Sequence, residues 1–224
     1  MADCEPVVLM WSGGKDAALA YDALSDDSAY GVEVLLTTVI EEADTVTMHG
    51  VPLALIRAQA EQMALPLRVM RIPPEASNAT YEAALEHALT PILAEGTTTV
   101  ATGDLFLEDI RDYRAAVLER LGATPLFPLW QRDTTALARY AIDAGYRILL
   151  TSVDTTQLDA AFVGRRFDAG LLRNLPEAVD SCGERGAFHT FVYAAPFFAA
   201  PVLIDTGPPY GSGRMRYLTI TPSS

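Results

Sequence analysis

Val7-Val8-Leu9-Met10-Trp11, then Ser12-Gly13-Gly14-Lys15-Asp16, then the Ala- and Leu-rich run Ala17 to Leu24, is the stretch whose character decides the fold. The first run is short and continuously apolar, which suits a strand buried on both faces of a parallel sheet better than a half-exposed hairpin strand. The third has the composition of a helix and stops at the polar Ser25-Asp26-Asp27-Ser28. A glycine-rich loop between a buried strand and a helix lets backbone N–H groups and the helix N-terminus grip phosphate. Glycine suits the task because a Cβ blocks close backbone approach and because tight turns often need positive φ. Ser12 offers a hydroxyl, and Asp16 a carboxylate for Mg²⁺ held against the phosphates. The spacing excludes a Walker A loop, G-x-x-x-x-G-K-S/T, and a dinucleotide fingerprint, G-x-G-x-x-G. The plainer alternative is that Gly13 and Gly14 only turn the chain after the strand.

The strand and helix unit repeats. Val32 to Ile40 is a second β-rich run, and Pro52 to Ala64 carries Leu53, Ile56, Ala60 and Met63 at helical spacing behind an opening proline. Leu67 to Ile72 is a third strand, Asn78 caps a long helix running to about Leu93, and Thr98 to Thr102 supplies β-branched residues for a fourth strand. This alternation predicts an α/β fold with a doubly wound parallel sheet and a ligand crevice at the carboxyl ends of its strands. A helix from about Asp109 to Leu121 places Ile110, Tyr113, Val117 and Leu121 on one face and closes at Gly122. Thr134 to Ala144 is another helix, and Tyr146 to Val153 another strand. Beyond it, Phe188 to Ala194, Val202 to Asp205 and Tyr217 to Ile220 are short strands separated by Pro and Gly. They predict a smaller, mixed α/β and more antiparallel C-terminal region.

The chain has 224 residues, half of them hydrophobic, and a net charge of −13. That charge opposes a nucleic-acid backbone, and no Lys or Arg run offers a basic face, so no nucleic-acid partner is expected. A nucleotide site remains compatible with it, because Mg²⁺ and backbone N–H groups neutralise phosphates locally. Cys4 and Cys182 stand far apart without a C-x-x-C spacing, which suggests neither a disulfide framework nor a zinc knuckle. With neither an export signal nor a membrane-length apolar run, the expectation is a cytoplasmic protein without a membrane partner.

The Ser12 to Asp16 loop resembles the pyrophosphate-binding PP-loop of the adenine nucleotide alpha hydrolase superfamily. Further blocks follow in order: Met48-His49-Gly50-Val51, Gly103-Asp104-Leu105-Phe106-Leu107-Glu108-Asp109-Ile110-Arg111, Pro125-Leu126-Phe127-Pro128-Leu129-Trp130, Val163-Gly164-Arg165-Arg166-Phe167-Asp168, and Cys182-Gly183-Glu184-Arg185-Gly186-Ala187-Phe188-His189-Thr190-Phe191-Val192. Together they resemble the diphthine-ammonia ligase family, in particular its compact bacterial members, over nearly the whole chain. The resemblance implies a PP-loop ATP-binding domain over residues 1–130 and a C-terminal substrate-binding region over 131–224. It further implies a ligase that adenylates a small or protein-borne carboxylate with ATP and Mg²⁺, and that releases AMP and pyrophosphate as ammonia forms an amide.

On that resemblance Ser12, Gly13, Gly14, Lys15, Asp16, Thr38, His49 and Gly103 would contact the nucleotide, with Asp16 on the metal. Asp16, Asp104 and Glu184 would be catalytic, and Glu108, Arg111, Gly183, Glu184, Gly186, His189 and Thr190 would meet the acceptor. Charge patterning alone also allows a solvated salt-bridge cluster around Glu108 and Arg111. His49 and His189 are equally open to a structural, hydrogen-bonded role. Trp11 and Trp130 are expected in the core or the crevice wall. The chain departs from the family at Ala17, where serine is usual, at Ala187, where a second glutamate is usual, and at Arg185, where a small or amide residue is usual. The departures at Ala17 and Ala187 motivate a second reading, a nucleotide sensor or partner module without efficient turnover. A third is sulfur transfer through Cys182. Whether the chain forms a homo-oligomer is left open.

Overall fold

A computed structural model of the chain describes residues 4–211 and 213–223. Its first sheet contains β1 (Glu5–Met10), β2 (Tyr30–Ile40), β3 (Thr45–Val46), β4 (Leu67–Ile72), β5 (Thr99–Ala101) and β6 (Thr124–Leu126). The helices among them are α1 (Lys15–Ser25), α2 (Leu53–Met63), α3 (Asn78–Ala94) and α4 (Glu108–Arg120). β1 pairs in parallel with β2 and β5, β2 with β4, and β5 with β6, while β3 adds a short antiparallel pair to the end of β2. The chain thus builds outward from β1 through β2 to β4, then returns to the other side of β1 for β5 and β6. That reversal falls between β1 and β5, the point where a doubly wound sheet opens a crevice.

The continuous apolar run of β1 has the expected physical basis. Val7, Val8 and Leu9 are all fully buried. Val7 and Leu9 join the core that contains residues of α1 and α2, and Val8 joins a separate core with Leu85 and Leu89 of α3 and Val117 and Leu118 of α4. Both faces of the sheet are therefore covered, and alternate residues supply each face.

The second sheet, in the order β8-β7-β10-β9, is antiparallel: β7 (Arg147–Asp154), β8 (Phe188–Ala194), β9 (Ile204–Tyr210) and β10 (Met215–Pro222), with α5 (Thr134–Asp143) and α6 (Ala169–Asn174) in the same half of the chain. The stretch expected as the next strand of the parallel rhythm, Tyr146 to Val153, is β7 of this antiparallel sheet. Local pattern does not distinguish the two, because β7 is also buried on both faces. β9 begins later than expected and runs through Gly207, Pro208 and Pro209. It lies at a sheet edge, where a missing N–H leaves no ladder bond unmade. β6, which contains Pro125, was not anticipated and is likewise an edge strand. α3 is capped by Ser77, whose Oγ accepts the Thr80 N–H at 3.2 Å, and Asn78 is the first helical residue. Among the described residues no helix is long and apolar enough to cross a membrane.

The two sheets share one core, in which Trp11, Ile56, Leu150, Phe188 and Phe191 all take part. They also meet through a buried polar seam. The Val192 N–H of β8 donates to the Gly13 carbonyl at 2.9 Å. Gln59 of α2, fully buried, donates to the carbonyls of Gly13 and Val192 at 3.0 and 2.6 Å and accepts from Trp11 Nε1 at 2.9 Å. Replacing its amide with an apolar group strands Trp11 Nε1 and the Val192 carbonyl. Gln59→Leu is accordingly expected to lower unfolding free energy by about 2–4 kcal/mol, measured by denaturant melts.

Candidate functional site

The loop expected to bind phosphate joins β1 to α1 at the strand-order reversal. Gly13 has φ +75°, and a Cβ there would lie 2.4 Å from Ile56 Cδ1 and 2.6 Å from Gln59 Oε1. Conformation and space therefore both require glycine. Gly14 is the N-cap of α1, and a Cβ on it would lie 2.7 Å from His49 Cε1 and 3.0 Å from the Thr190 carbonyl oxygen. Ser12 Oγ accepts the Gly14 N–H at 3.3 Å, and Thr190 Oγ1 accepts the Lys15 N–H at 3.0 Å. The N–H groups of Asp16 and Ala17, next in the first turn, have no acceptor inside the helix and carry its positive dipole end.

The second arm of the site follows β5. Gly103 packs directly on the first turn of α1: a Cβ there would stand 2.8 Å from the Asp16 carbonyl carbon and oxygen. Asp104 is buried, and its carboxylate accepts from Thr102 Oγ1 at 2.5 Å and from Arg114 Nη1 of α4 at 2.8 Å on both oxygens. Asp104 thus holds a guanidinium rather than standing free beside the loop.

The third arm is the turn before β8. Asp180 organises it, accepting the Cys182 and Glu184 N–H groups on Oδ1 and the Thr134 hydroxyl on Oδ2. Gly183, at φ +71°, packs on the Phe188 ring, while Gly186, at φ +76°, faces open space. Glu184 reaches back across the fold, and its Oε1 accepts the Leu105 N–H at 2.9 Å. Beneath the loop Lys15 is buried and donates to both carboxylate oxygens of Asp16 at 2.9 Å.

Burial sets the protonation of this cluster. It pushes the Glu184 carboxyl up to about 7, against the pull of the Leu105 N–H and with Asp16 adding to the rise. It raises Asp16 as well, in spite of the adjoining ammonium. Burial works against the Lys15 ammonium, but Asp16, Cys182 and Glu184 more than offset it and leave that group raised. The Cys182 thiol is pushed up to about 12 by burial and donates to the Thr134 carbonyl at 3.3 Å, so it is a buried thiol and not a reactive thiolate.

A cleft of about 630 Å³ joins these arms. Of the residues singled out in the sequence, Ser12, Asp16, Thr38, His49, Gly103, Asp104, Glu184 and His189 line it, together with Trp11 and Ala17. Gly13, Gly14, Lys15 and Thr190 instead build the loop and its support. Gly183 and Gly186 shape the Glu184 turn. Glu108 and Arg111 are not in the lining; Arg111 pairs with Asp112 and stacks 4.5 Å from the Trp130 ring. One turn further along α4, Arg114 does line the cleft. The rings of His49 and His189 lie 4.8 Å apart. His49 Nδ1 donates to the Thr190 carbonyl at 2.9 Å, and burial lowers His49 to about 4 and His189 well below its ordinary value, so both are uncharged at neutral pH.

Among the described residues no three His, Cys, Asp or Glu side chains come together as a metal cage. A Mg²⁺ ion here would take the Asp16 carboxylate together with ligand phosphates and water, the usual manner for that cation. Glu184 yields a test of the electrostatics. Its folded pKa of about 7 lies above the ordinary 4.5, so its stabilising contribution is full below about 4.5 and is lost as pH rises through 7. The ligand-free protein is expected to melt at progressively lower temperature over that interval, and Glu184→Gln, which keeps an acceptor for Leu105, to flatten the slope.

Models of the diphthamide synthase N-terminal domain and the diphthamide synthase C-terminal domain match residues 5–125 and 133–221. A search of curated proteins finds no match. The two matches follow one another in the order of the two sheets and account for nearly all of the 224 residues. The chain belongs to the diphthamide synthase family.

Proposed function

We propose that this protein is an ATP-dependent amide-forming ligase of the diphthine-ammonia ligase type, with residues 1–130 binding ATP and Mg²⁺ and residues 131–224 closing the acceptor side. The observation that carries the proposal is the glycine loop between β1 and α1. It lies at the strand-order reversal, has no room for a Cβ at Gly13 or Gly14, and opens on a cleft shared by Asp16, Asp104 and Glu184.

In this reading the first turn of α1 receives the β and γ phosphates through its N–H groups, and the Asp16 carboxylate, backed by Lys15, holds the Mg²⁺ that accompanies them. An acceptor carboxylate oxygen attacks the α phosphorus and pyrophosphate leaves. Ammonia then attacks the acyl carbon and AMP leaves, giving the amide. Glu184 serves as general base, because a carboxyl near 7 takes a proton from the incoming nitrogen at neutral pH. The departures at Ala17 and Ala187 sit well with turnover. Ala17 lies in the cleft wall, and Ala187 is buried under the start of β8 and outside the lining. A carboxylate at Ala187 would face the core rather than the acceptor.

With ATP, Mg²⁺, an ammonium salt and a carboxylate acceptor, the expected nucleotide products are AMP and pyrophosphate, resolved by ion-exchange chromatography; ADP and phosphate would overturn the mechanism. Gly14→Ala is expected to weaken binding of a non-hydrolysable ATP analogue by about tenfold or more, because the added methyl meets the Thr190 backbone oxygen and overpacks the loop. Unchanged affinity by calorimetry would remove the loop from the nucleotide site.

A further inference from the structure

Arg114 is the only Lys or Arg among the described residues that line the cleft, whereas Asp16, Glu75, Asp104 and Glu184 all contribute carboxyls. Both lining histidines are uncharged at neutral pH. The guanidinium is also fixed in place. Nη1 alone is committed to Asp104, at 2.8 Å to both oxygens, and among the described residues no other protein group bonds to Arg114. Its side chain is 40 % exposed while that of Asp104 is 7 % exposed, so the cation is the more accessible member of a pair in which both line the cleft.

The surroundings select among anions. Around Arg114 the cleft wall is made by Tyr81 and Leu85 of α3 and by Ile110, Tyr113, Val117 and Leu118 of α4. The phosphate loop belongs to another arm, at the head of α1, where backbone N–H groups already provide the positive end. Inorganic phosphate gains nothing from an aromatic and aliphatic wall. A carboxylate attached to a carbon skeleton gains both an ion pair and buried apolar surface.

From this placement we infer that Arg114, positioned by Asp104, binds a carboxylate of the acceptor, and that the acceptor class is a carboxylate borne on an apolar or aromatic body. The inference rests on the ligase reading and deepens it. Asp104 becomes a positioning residue in this account, since its oxygens are spent on Thr102 and Arg114.

The test titrates the full chain with 3-phenylpropionate, its neutral analogue 3-phenylpropionamide and acetate by calorimetry, with and without a non-hydrolysable ATP analogue and Mg²⁺. Wild type should bind 3-phenylpropionate more tightly than either control. Arg114→Lys keeps a cation against the buried Asp104 but loses the planar fork, and should weaken 3-phenylpropionate by about tenfold or more while leaving the ATP analogue within about threefold. The paired variant Asp104→Asn with Arg114→Gln, free of any unpaired buried charge, should lose the same preference while still melting cooperatively. Equal binding of acid and amide by wild type, or full binding by both variants, would overturn the inference. A parallel loss of the ATP analogue would assign Arg114 to the phosphates and overturn it as well. Failure of the analogue to bind wild type would count against the nucleotide reading alone, because the titrations without nucleotide still decide the role of Arg114.

Discussion

The Gly13 carbonyl is the point on which the site depends. It accepts from Val192 of the second sheet and from Gln59 of α2, so one backbone oxygen ties together the loop, a helix of the first sheet and a strand of the second. Thr190, two residues earlier on β8, adds a hydroxyl to the Lys15 N–H and a carbonyl to His49. The loop is therefore clamped from behind by β8. A loop held in this way meets a ligand with its N–H groups already aimed, which removes the ordering penalty from binding and from any transition state formed there. Gly103 extends the same logic on the other side, because only a residue without a Cβ lets the chain after β5 lie against the first turn of α1.

On the ligase reading, a protein of net charge −13 receives a polyanion and has to suppress negative charge where the two meet. The cleft does so with three devices. Burial keeps Glu184 near half protonation at neutral pH. Lys15 sits under Asp16 with both carboxylate oxygens in reach. Arg114 covers Asp104. Asp16, Asp104 and Glu184 are thus each neutral in part or matched by a cation, and the dipole of α1 is left as the local positive end. The low effective dielectric of such a site strengthens these pairings and raises the penalty for removing one partner.

Much of this was legible in the sequence because its causes are local. The double burial of β1 is written in consecutive apolar residues, and the loop in adjacent glycines at a strand end. Gln59 was hidden because a glutamine in a helical window looks solvated, and its partners are 46 and 133 positions away. Thr190 stands out by resemblance as an acceptor contact, but its supporting role is hidden in the same way, since its hydroxyl serves a backbone N–H 175 positions distant. Arg114 does carry a local signal: it falls four residues after Ile110 and three before Val117, on the face of α4 that helical spacing marks as inward. Arg111, in a family block, lies instead against Trp130. The direction of β7 could not be read at all, because a strand buried on both faces has the same pattern in a parallel or an antiparallel sheet.

The most direct test of the clamped loop is a crystal structure with a non-hydrolysable ATP analogue and magnesium. The account predicts the β and γ phosphates against the Asp16 and Ala17 N–H groups, the metal on Asp16, and the bond from Val192 to Gly13 intact. A triphosphate lodged elsewhere in the cleft, or a loop that releases β8 to admit it, would contradict the account.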